Sequence, residues 1–318
     1  MRIVFMGTPA FAAVSLRALC DAGFDVVGVI SQPARPAGRG RALAQPATAE
    51  WALARGLPLM QPEKPHASDV LATLRAWAPE IIVVAAYGHI LRPAILDLPP
   101  AGCINVHASL LPAYRGASPI AAALLAGDAA TGVSIMLLDT GADTGPVLAQ
   151  RAVPILDRDT TGSLTARLAE LGAALLVETL PAWRAGQIAP HAQDDSRASA
   201  CPRIRKEDGA LDWNMPARQI WQRVRAFDPW PGTSTLWRDQ ALKILALTPA
   251  GERAAGPAGL VVALGRQPAV IAGDGELLIL QRVQLAGKKP AEGADFARGQ
   301  RAFVGAILGG DIHAGGTQ

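Results

Sequence analysis

The stretch Arg2-Ile3-Val4-Phe5-Met6-Gly7-Thr8-Pro9 is a short apolar run closed by glycine and proline. Such a run bounded by a turn signal reads as a buried strand, here Ile3–Met6. Pro9 suits the first turn of a helix, where a missing N–H costs little, and Phe11–Ala22 continues with apolar residues at helical spacing. No basic segment, long apolar core and small-residue cleavage site precede the strand, so it does not read as a signal peptide.

The same alternation recurs to about residue 185. Further strands are expected at Val26–Ile30, Ile81–Ala86, Cys103–Val106 and Val133–Leu138, and further helices at Ser68–Trp77, Ile120–Ala126 and Thr160–Ala185. Strands alternating with helices imply βαβ units around a parallel sheet, a Rossmann-like α/β domain. The rhythm then changes. Polar, aperiodic Gln187–Ser199 is followed by one expected helix, Ala217–Phe227. Short strands are expected at Thr233–Trp237, Leu242–Leu247, Leu260–Leu264, Val270–Ile271 and Leu277–Leu280, with Gly273-Asp274-Gly275 as a hairpin turn. This pattern predicts a small β-barrel or sandwich. The expected organisation is residues 1–189, a linker at 190–207, and a second domain at 208–318.

The 318 residues suffice for two cores. Half are apolar and 18% are charged, the composition of a globular protein. No apolar run approaches the length of a membrane helix, so a cytoplasmic location is expected. Cys20, Cys103 and Cys201 are an odd, widely spaced set, which fits reduced thiols better than disulfides or a zinc site. Net charge is +3: residues 1–189 hold 14 Lys+Arg against 14 Asp+Glu, and residues 190–318 hold 16 against 13. Arg197, Arg203, Arg205, Lys206, Arg218, Arg223 and Arg225 face only Glu207, Asp208 and Asp212. That segment would attract phosphate, or would simply be a solvated surface.

In an open parallel sheet, ligands bind where strands end. Gly7 is a single glycine where a dinucleotide fingerprint needs three, which disfavours nicotinamide and flavin enzymes. In Cys103-Ile104-Asn105-Val106-His107-Ala108-Ser109-Leu110-Leu111-Pro112, Asn105 and His107 share one strand face. A lone His there is more often a satisfied structural residue. An amide and an imidazole about 6 to 7 Å apart, however, can converge on one carbonyl oxygen. Asp139-Thr140-Gly141-Ala142-Asp143-Thr144-Gly145 places Asp143 between glycines, as a turn-former or a ligand-facing acid. No nucleophile elbow, phosphate loop or metal-ligand cluster is present, so serine hydrolases, nucleotide hydrolases and zinc enzymes lose ground.

Taken together, Gly7-Thr8-Pro9, Ala86-Tyr87-Gly88, Asn105 to Pro112, Arg115-Gly116 and Asp143-Thr144-Gly145 closely resemble the folate-dependent formyltransferases. Lys206-Glu207-Asp208-Gly209, Asp212-Trp213, Arg225-Ala226-Phe227, Pro229-Trp230-Pro231-Gly232 and Ala286-Gly287-Lys288-Lys289-Pro290 resemble the members that act on methionyl-tRNA. The resemblance implies that Asn105, His107 and Asp143 form the catalytic triad and that Ser109, Leu110, Leu111 and Pro112 bind folate. It also implies an OB-like C-terminal barrel, 10-formyltetrahydrofolate as co-substrate without a metal, initiator methionyl-tRNA as partner, and a monomer. Ala10, Ala200 and Arg203 depart from the family pattern without touching the triad.

The resemblance further implies that Arg35-Pro36-Ala37-Gly38-Arg39-Gly40-Arg41 is a loop ordering against the tRNA acceptor end. Arg35, Arg39 and Arg41 would contact it there, and Arg203, Arg205 and Lys206 would contact tRNA elsewhere. Two other readings stay open: a relative formylating glycinamide ribonucleotide or an amino sugar nucleotide, and a non-catalytic RNA-binding module. The second leaves Asn105, His107 and Asp143 unexplained.

Overall fold

The computed structural model describes residues 1–37 and 42–309. They fall into two compact units. The first comprises Met1–Pro119, Ala130–Pro154 and Leu164–Pro202; the second comprises Ile120–Ala129, Ile155–Ser163 and the chain from Arg203 onward.

In chain order the elements begin with β1 (Arg2–Gly7), α1 (Ala10–Asp21) and β2 (Asp25–Ile30). An antiparallel pair follows, β3 (Arg35–Ala37) with β4 (Ala42–Ala44). Next come α2 (Ala47–Ala54), β5 (Leu59–Met60), α3 (Ser68–Trp77), β6 (Ile81–Ala85), α4 (Pro93–Leu96) and β7 (Cys103–His107). The two-residue β8 (Arg115–Gly116) precedes α5 (Pro119–Ala126), β9 (Ala130–Leu137), β10 (Val147–Pro154) and α6 (Thr161–Arg184).

The main sheet of the first unit has the order β10-β9-β7-β6-β1-β2-β5. From β7 to β5 all neighbours are parallel. The sheet is mixed, however, because β9 runs antiparallel to β7 and β10 antiparallel to β9. Residues 138–146 turn the chain straight back, a connection that antiparallel neighbours permit and parallel ones do not. β10 carries no apolar run: beyond Val147 and Leu148 its residues are half-buried or exposed and it ends in Pro154, as an edge strand does.

β1 and β6 are buried on both faces, with Ile3, Phe5, Ile81 and Val83 wholly inaccessible. On one face Val4, Met6, Val84 and Cys103 pack with Val70 and Leu74 of α3 and Ile95 of α4. On the other, α6 approaches through Gly172, where a Cβ would stand 2.8 Å from Val106 Cγ1. Helix and sheet therefore meet where no side chain fits between them.

After β11 (Ala200–Cys201), which pairs with β8, come α7 (Ala217–Ala226), β12 (Thr233–Trp237) and β13 (Gln240–Arg253). The chain continues with β14 (Val261–Leu264), β15 (Gln267–Ile271), β16 (Glu276–Leu285), β17 (Ala291–Glu292) and α8 (Gly293–Gly299). The second unit's sheet is antiparallel in the order β12-β13-β16-β15-β14, with β17 beside β16. Gly273-Asp274-Gly275 joins β15 to β16 as expected. Register shifts near Ala246 and beyond Pro249 interrupt the long β13–β16 ladder, and bulges of this kind bend a strand and increase its twist. Trp237, Phe296 and Phe303 meet edge to face in the core.

Candidate active site

β7 is held on both sides. Asn105 lies opposite Val84 of β6 and Met136 of β9, and His107 lies opposite Ser134. The alternation of the strand puts both polar side chains at its C-terminal end on one face, while Val106 packs toward α6. The third residue comes from the β9–β10 loop. There the Asp139 carboxylate accepts from the Gly141 N–H and the Thr144 hydroxyl. A Cβ at Gly145 would overlap the Leu137 carbonyl, so only glycine lets the loop fold back on β9. Asp143 itself adopts φ +56, a left-handed conformation unusual for a residue with a side chain.

The structure brings Asn105, His107 and Asp143 together. Asn105 Nδ2 donates to Asp143 Oδ1 at 3.3 Å, and the Gly116 N–H donates to Asp143 Oδ2 at 2.9 Å. That same Oδ2 is 3.6 Å from His107 Nδ1. His107 Nε2 is 3.0 Å from the Tyr114 carbonyl oxygen, and a carbonyl can only accept, so Nε2 carries hydrogen. The imidazole is 5% exposed and the carboxylate 17%. The ring thus lies between two acceptors, a carbonyl and a carboxylate, in a nearly dry place.

Ser109, Leu110, Leu111 and Pro112 follow directly. Ser109 is fully buried, and its hydroxyl donates to the Ala113 carbonyl at 2.6 Å. Ser134 and Gln150 hold the segment from beneath: the Ser134 hydroxyl donates to the Ser109 carbonyl, and Gln150 Nε2 donates to the Leu111 carbonyl at 2.8 Å. Leu111 packs on Met136 and Val147, leaving Leu110 and Pro112 half-buried. The segment therefore offers apolar surface and backbone, not the serine hydroxyl.

Several framing residues escape a sequence reading. Gln193 Nε2 donates to the carbonyls of Asp143 and Gly145 at 2.8 and 2.7 Å. Arg115 Nε donates to Gln193 Oε1, and the Ser199 hydroxyl accepts from the Tyr114 N–H. Gln193, Ser199 and Cys201 all fall in the span expected as linker, yet residues to Pro202 cluster with the first unit. Short pairings, β11 with β8 and His191 with Val147, tie the span there and are invisible as periodicity.

The three cysteines are free. The Cys103 thiol faces the Ile95 and Leu96 carbonyls, and burial pushes its pKa up to about 12. Burial also pushes the Cys201 thiol up. Neither is primed as a nucleophile. Among the described residues no group of His, Cys, Asp and Glu could hold a metal ion, and no helix is long and apolar enough to cross a membrane.

The basic residues divide into distinct environments. Arg35 pairs with Glu63 at 2.7 Å, while Arg39 and Arg41 lie outside the described residues. Arg203, Arg205 and Lys206 are exposed. Arg225, which the sequence places in the basic, phosphate-attracting segment, is instead buried: it donates to the carbonyls of Asp159 and Leu156 at 2.8 and 2.7 Å and lies over the Trp221 ring. Its position on α7 turns it inward, which composition alone does not reveal.

Two family models cover the chain: Formyl transferase over residues 1–180, and Formyl transferase, C-terminal domain, over residues 203–301. A methionyl-tRNA formyltransferase from Roseiflexus sp. (strain RS-1) is 48% identical over 311 residues, 97% of this chain and 95% of that protein. Among solved structures, an N-formyltransferase from Helicobacter canadensis, in complex with folinic acid and dTDP-3-aminofucose, superposes with TM-score 0.65 at 18% identity, covering 87% of this chain and 98% of that one. Glycinamide ribonucleotide transformylase 1 from Symbiobacterium toebii covers 61% of this chain and 94% of that one, with TM-score 0.51 at 25% identity. Both units and nearly half of all residues are thus shared with one kind of relative, and the chain belongs to the formyl transferase family, among the methionyl-tRNA formyltransferases.

Proposed function

We propose that this chain transfers the formyl group of 10-formyltetrahydrofolate to the α-amine of initiator methionyl-tRNA. The observation that carries the reading is the 48% identity extending through both units to a methionyl-tRNA formyltransferase. Fold alone would not separate the acceptors, because the sugar-nucleotide complex also covers 87% of the chain. The glycinamide ribonucleotide enzyme covers 61% of this chain and so leaves about two fifths of it without a counterpart.

The residues supply what acyl transfer to an amine requires. An α-amine has a reference pKa of about 8, so much of it is neutral near pH 7 to 8 and no covalent relay is needed. Asn105 spends one amide hydrogen on Asp143 and keeps another for the oxyanion that develops as the amine attacks the formyl carbon. With Nε2–H held by the Tyr114 carbonyl, the Nδ1 side of His107 supplies the second donor only in its doubly protonated form, and such donors lower the barrier by roughly 3 kcal/mol each. Asp143 orients Asn105, balances charge on the ring and helps carry the proton from the amine to the folate nitrogen. Ser109, Leu110, Leu111 and Pro112 give the folate a fixed apolar shelf. Arg39 stacks on an exposed base at the tRNA acceptor end as well as contacting phosphate, Arg35 and Arg41 contact phosphate there, and Arg203, Arg205 and Lys206 contact tRNA elsewhere. The protein acts as a cytoplasmic monomer.

A side-by-side assay with 10-formyltetrahydrofolate and methionyl-tRNA, glycinamide ribonucleotide or an amino sugar nucleotide tests the acceptor. Methionyl-tRNA is expected to dominate in kcat/KM. Equal or preferred use of a small acceptor overturns the assignment.

A further inference from the structure

We infer that Gln193 is a positioning residue for the reaction, holding Asp143 in its left-handed conformation, and that Arg115 sets the polarity of the Gln193 amide. This rests on the function proposed above and deepens it.

Asp143 cannot hold its backbone by itself. Its φ of +56 is disfavoured for any residue with a Cβ and persists only where the surroundings impose it. Its carboxylate is tied by Asn105 and Gly116, but those bonds fix the end of the side chain, not the peptide from which it hangs. The backbone contacts come from Gln193, whose Nε2 donates to the carbonyls of Asp143 and Gly145, bracketing the strained residue's C-terminal side. Gln193 is brought there by the reciprocal backbone pairing of His191 with Val147, which lays this segment against the start of β10.

The amide can face only one way. On one side stand two carbonyl oxygens, which only accept; on the other stands Arg115 Nε, which only donates, at 3.0 Å from Gln193 Oε1. The guanidinium is fixed in turn by Asp195, whose Oδ1 accepts from Nη2 at 2.8 Å. Arg115 also directly precedes Gly116, whose N–H donates to the Asp143 carboxylate. The clamp therefore grips Asp143 from backbone and side chain together, and a small rotation of its peptide would move Oδ2 relative to His107.

Two variants test this in the full-length protein. Gln193→Glu keeps length and shape but sets a carboxylate oxygen against two carbonyls. Gln193→Met removes the donor without adding charge. We expect the Glu variant to lose about 100-fold in kcat, as misplacements near 1 Å do, with little change in KM for 10-formyltetrahydrofolate. The Met variant should lose about 10-fold, and its His107 ring 15N resonances should move in the unliganded protein. Wild-type kcat in the Met variant, or unmoved ring resonances, overturns the clamp, as does a loss confined to KM and thermal stability. A wild-type chain that fails to formylate methionyl-tRNA would instead sink the proposed acceptor, while the resonances still decide the clamp.

Discussion

His107 Nδ1 and Asp143 Oδ2 stand 3.6 Å apart, beyond hydrogen-bond length but well within the range of charge–charge attraction. The opposite ring nitrogen is already committed to the Tyr114 carbonyl, so on the proposed mechanism Nδ1 is the position left to meet a reacting group. His107→Ala and Asn105→Ala are expected to lower kcat by about 100- to 1,000-fold while folate affinity changes little, because on the proposed mechanism each removes a donor aimed at developing charge. Asp143→Asn should lose a similar factor, since it keeps the shape but not the charge. Single-turnover rates and equilibrium folate binding check this. Weaker folate binding with an unchanged rate would make these residues ligands of the folate alone.

Stability should fall at alkaline pH, because two buried acids must then lose their protons. Cys103 has an ordinary pKa of 9.0 that burial raises to about 12, and Tyr87 an ordinary 10.0 that burial also raises to about 12. The folded state thus holds both protons more tightly than the unfolded one. Their stabilisation is complete below about pH 9 and fades as pH rises toward 12. We expect Tm to decline from pH 9 to 11 and Cys103→Ala to flatten that slope. In the native protein at pH 8, Cys103 and Cys201 should resist iodoacetamide and become reactive only on unfolding, as mass spectrometry would read. Rapid native alkylation of Cys103 would contradict the burial argument.

Arg225 and Lys206 should behave oppositely although both are cations of the second unit. Arg225 satisfies two carbonyls from a buried position, so Arg225→Met should cost about 3 kcal/mol of stability, the scale of lost charge-assisted hydrogen bonds. Lys206 is exposed; Lys206→Ala should leave Tm unchanged and make log Kd for tRNA less salt-dependent by about one unit of slope. Identical effects of the two substitutions on tRNA affinity, with no change in Tm, would mean that Arg225 is not structural.

The elements legible in the sequence are those whose reason is local. β1, β7 and α3 announce themselves through period and turn residues, and the alternation along β7 is enough to put Asn105 and His107 on one face. β10 is not legible in the sequence because an edge strand buries too few residues to show an apolar run. Its antiparallel direction, like that of β9, is fixed by the length of residues 138–146 and by partners far along the chain. α2 is not legible either, because its apolar residues are not confined to one face. Gln193 could not have been read at all. Its role exists only because His191 pairs with Val147, a contact across more than forty residues.

Arg35 is not a free cation. Its guanidinium meets Glu63 at 2.7 Å, with both side chains more than three-fifths exposed. An ion pair so open contributes about 0 to 1 kcal/mol and is readily exchanged for another anion. A tRNA phosphate reaching Arg35 must displace Glu63 and must also tolerate that carboxylate nearby. Glu63→Gln removes both obstacles, so it should tighten tRNA binding about 2- to 5-fold at low salt, with the gain shrinking above roughly 0.15 M as screening shortens the range of the charge. Arg35→Ala should weaken binding and lower the salt slope by about one. In the Arg35→Ala background, Glu63→Gln should lose most of its effect, which a double-mutant cycle would show as coupling between the two residues. Turnover on a small methionine ester should be unchanged in all three variants, because neither residue touches Asn105, His107 or Asp143. If Glu63→Gln weakens tRNA binding, the ion pair instead holds the paired strands β3 and β4 in their binding form, and Arg35 meets no phosphate.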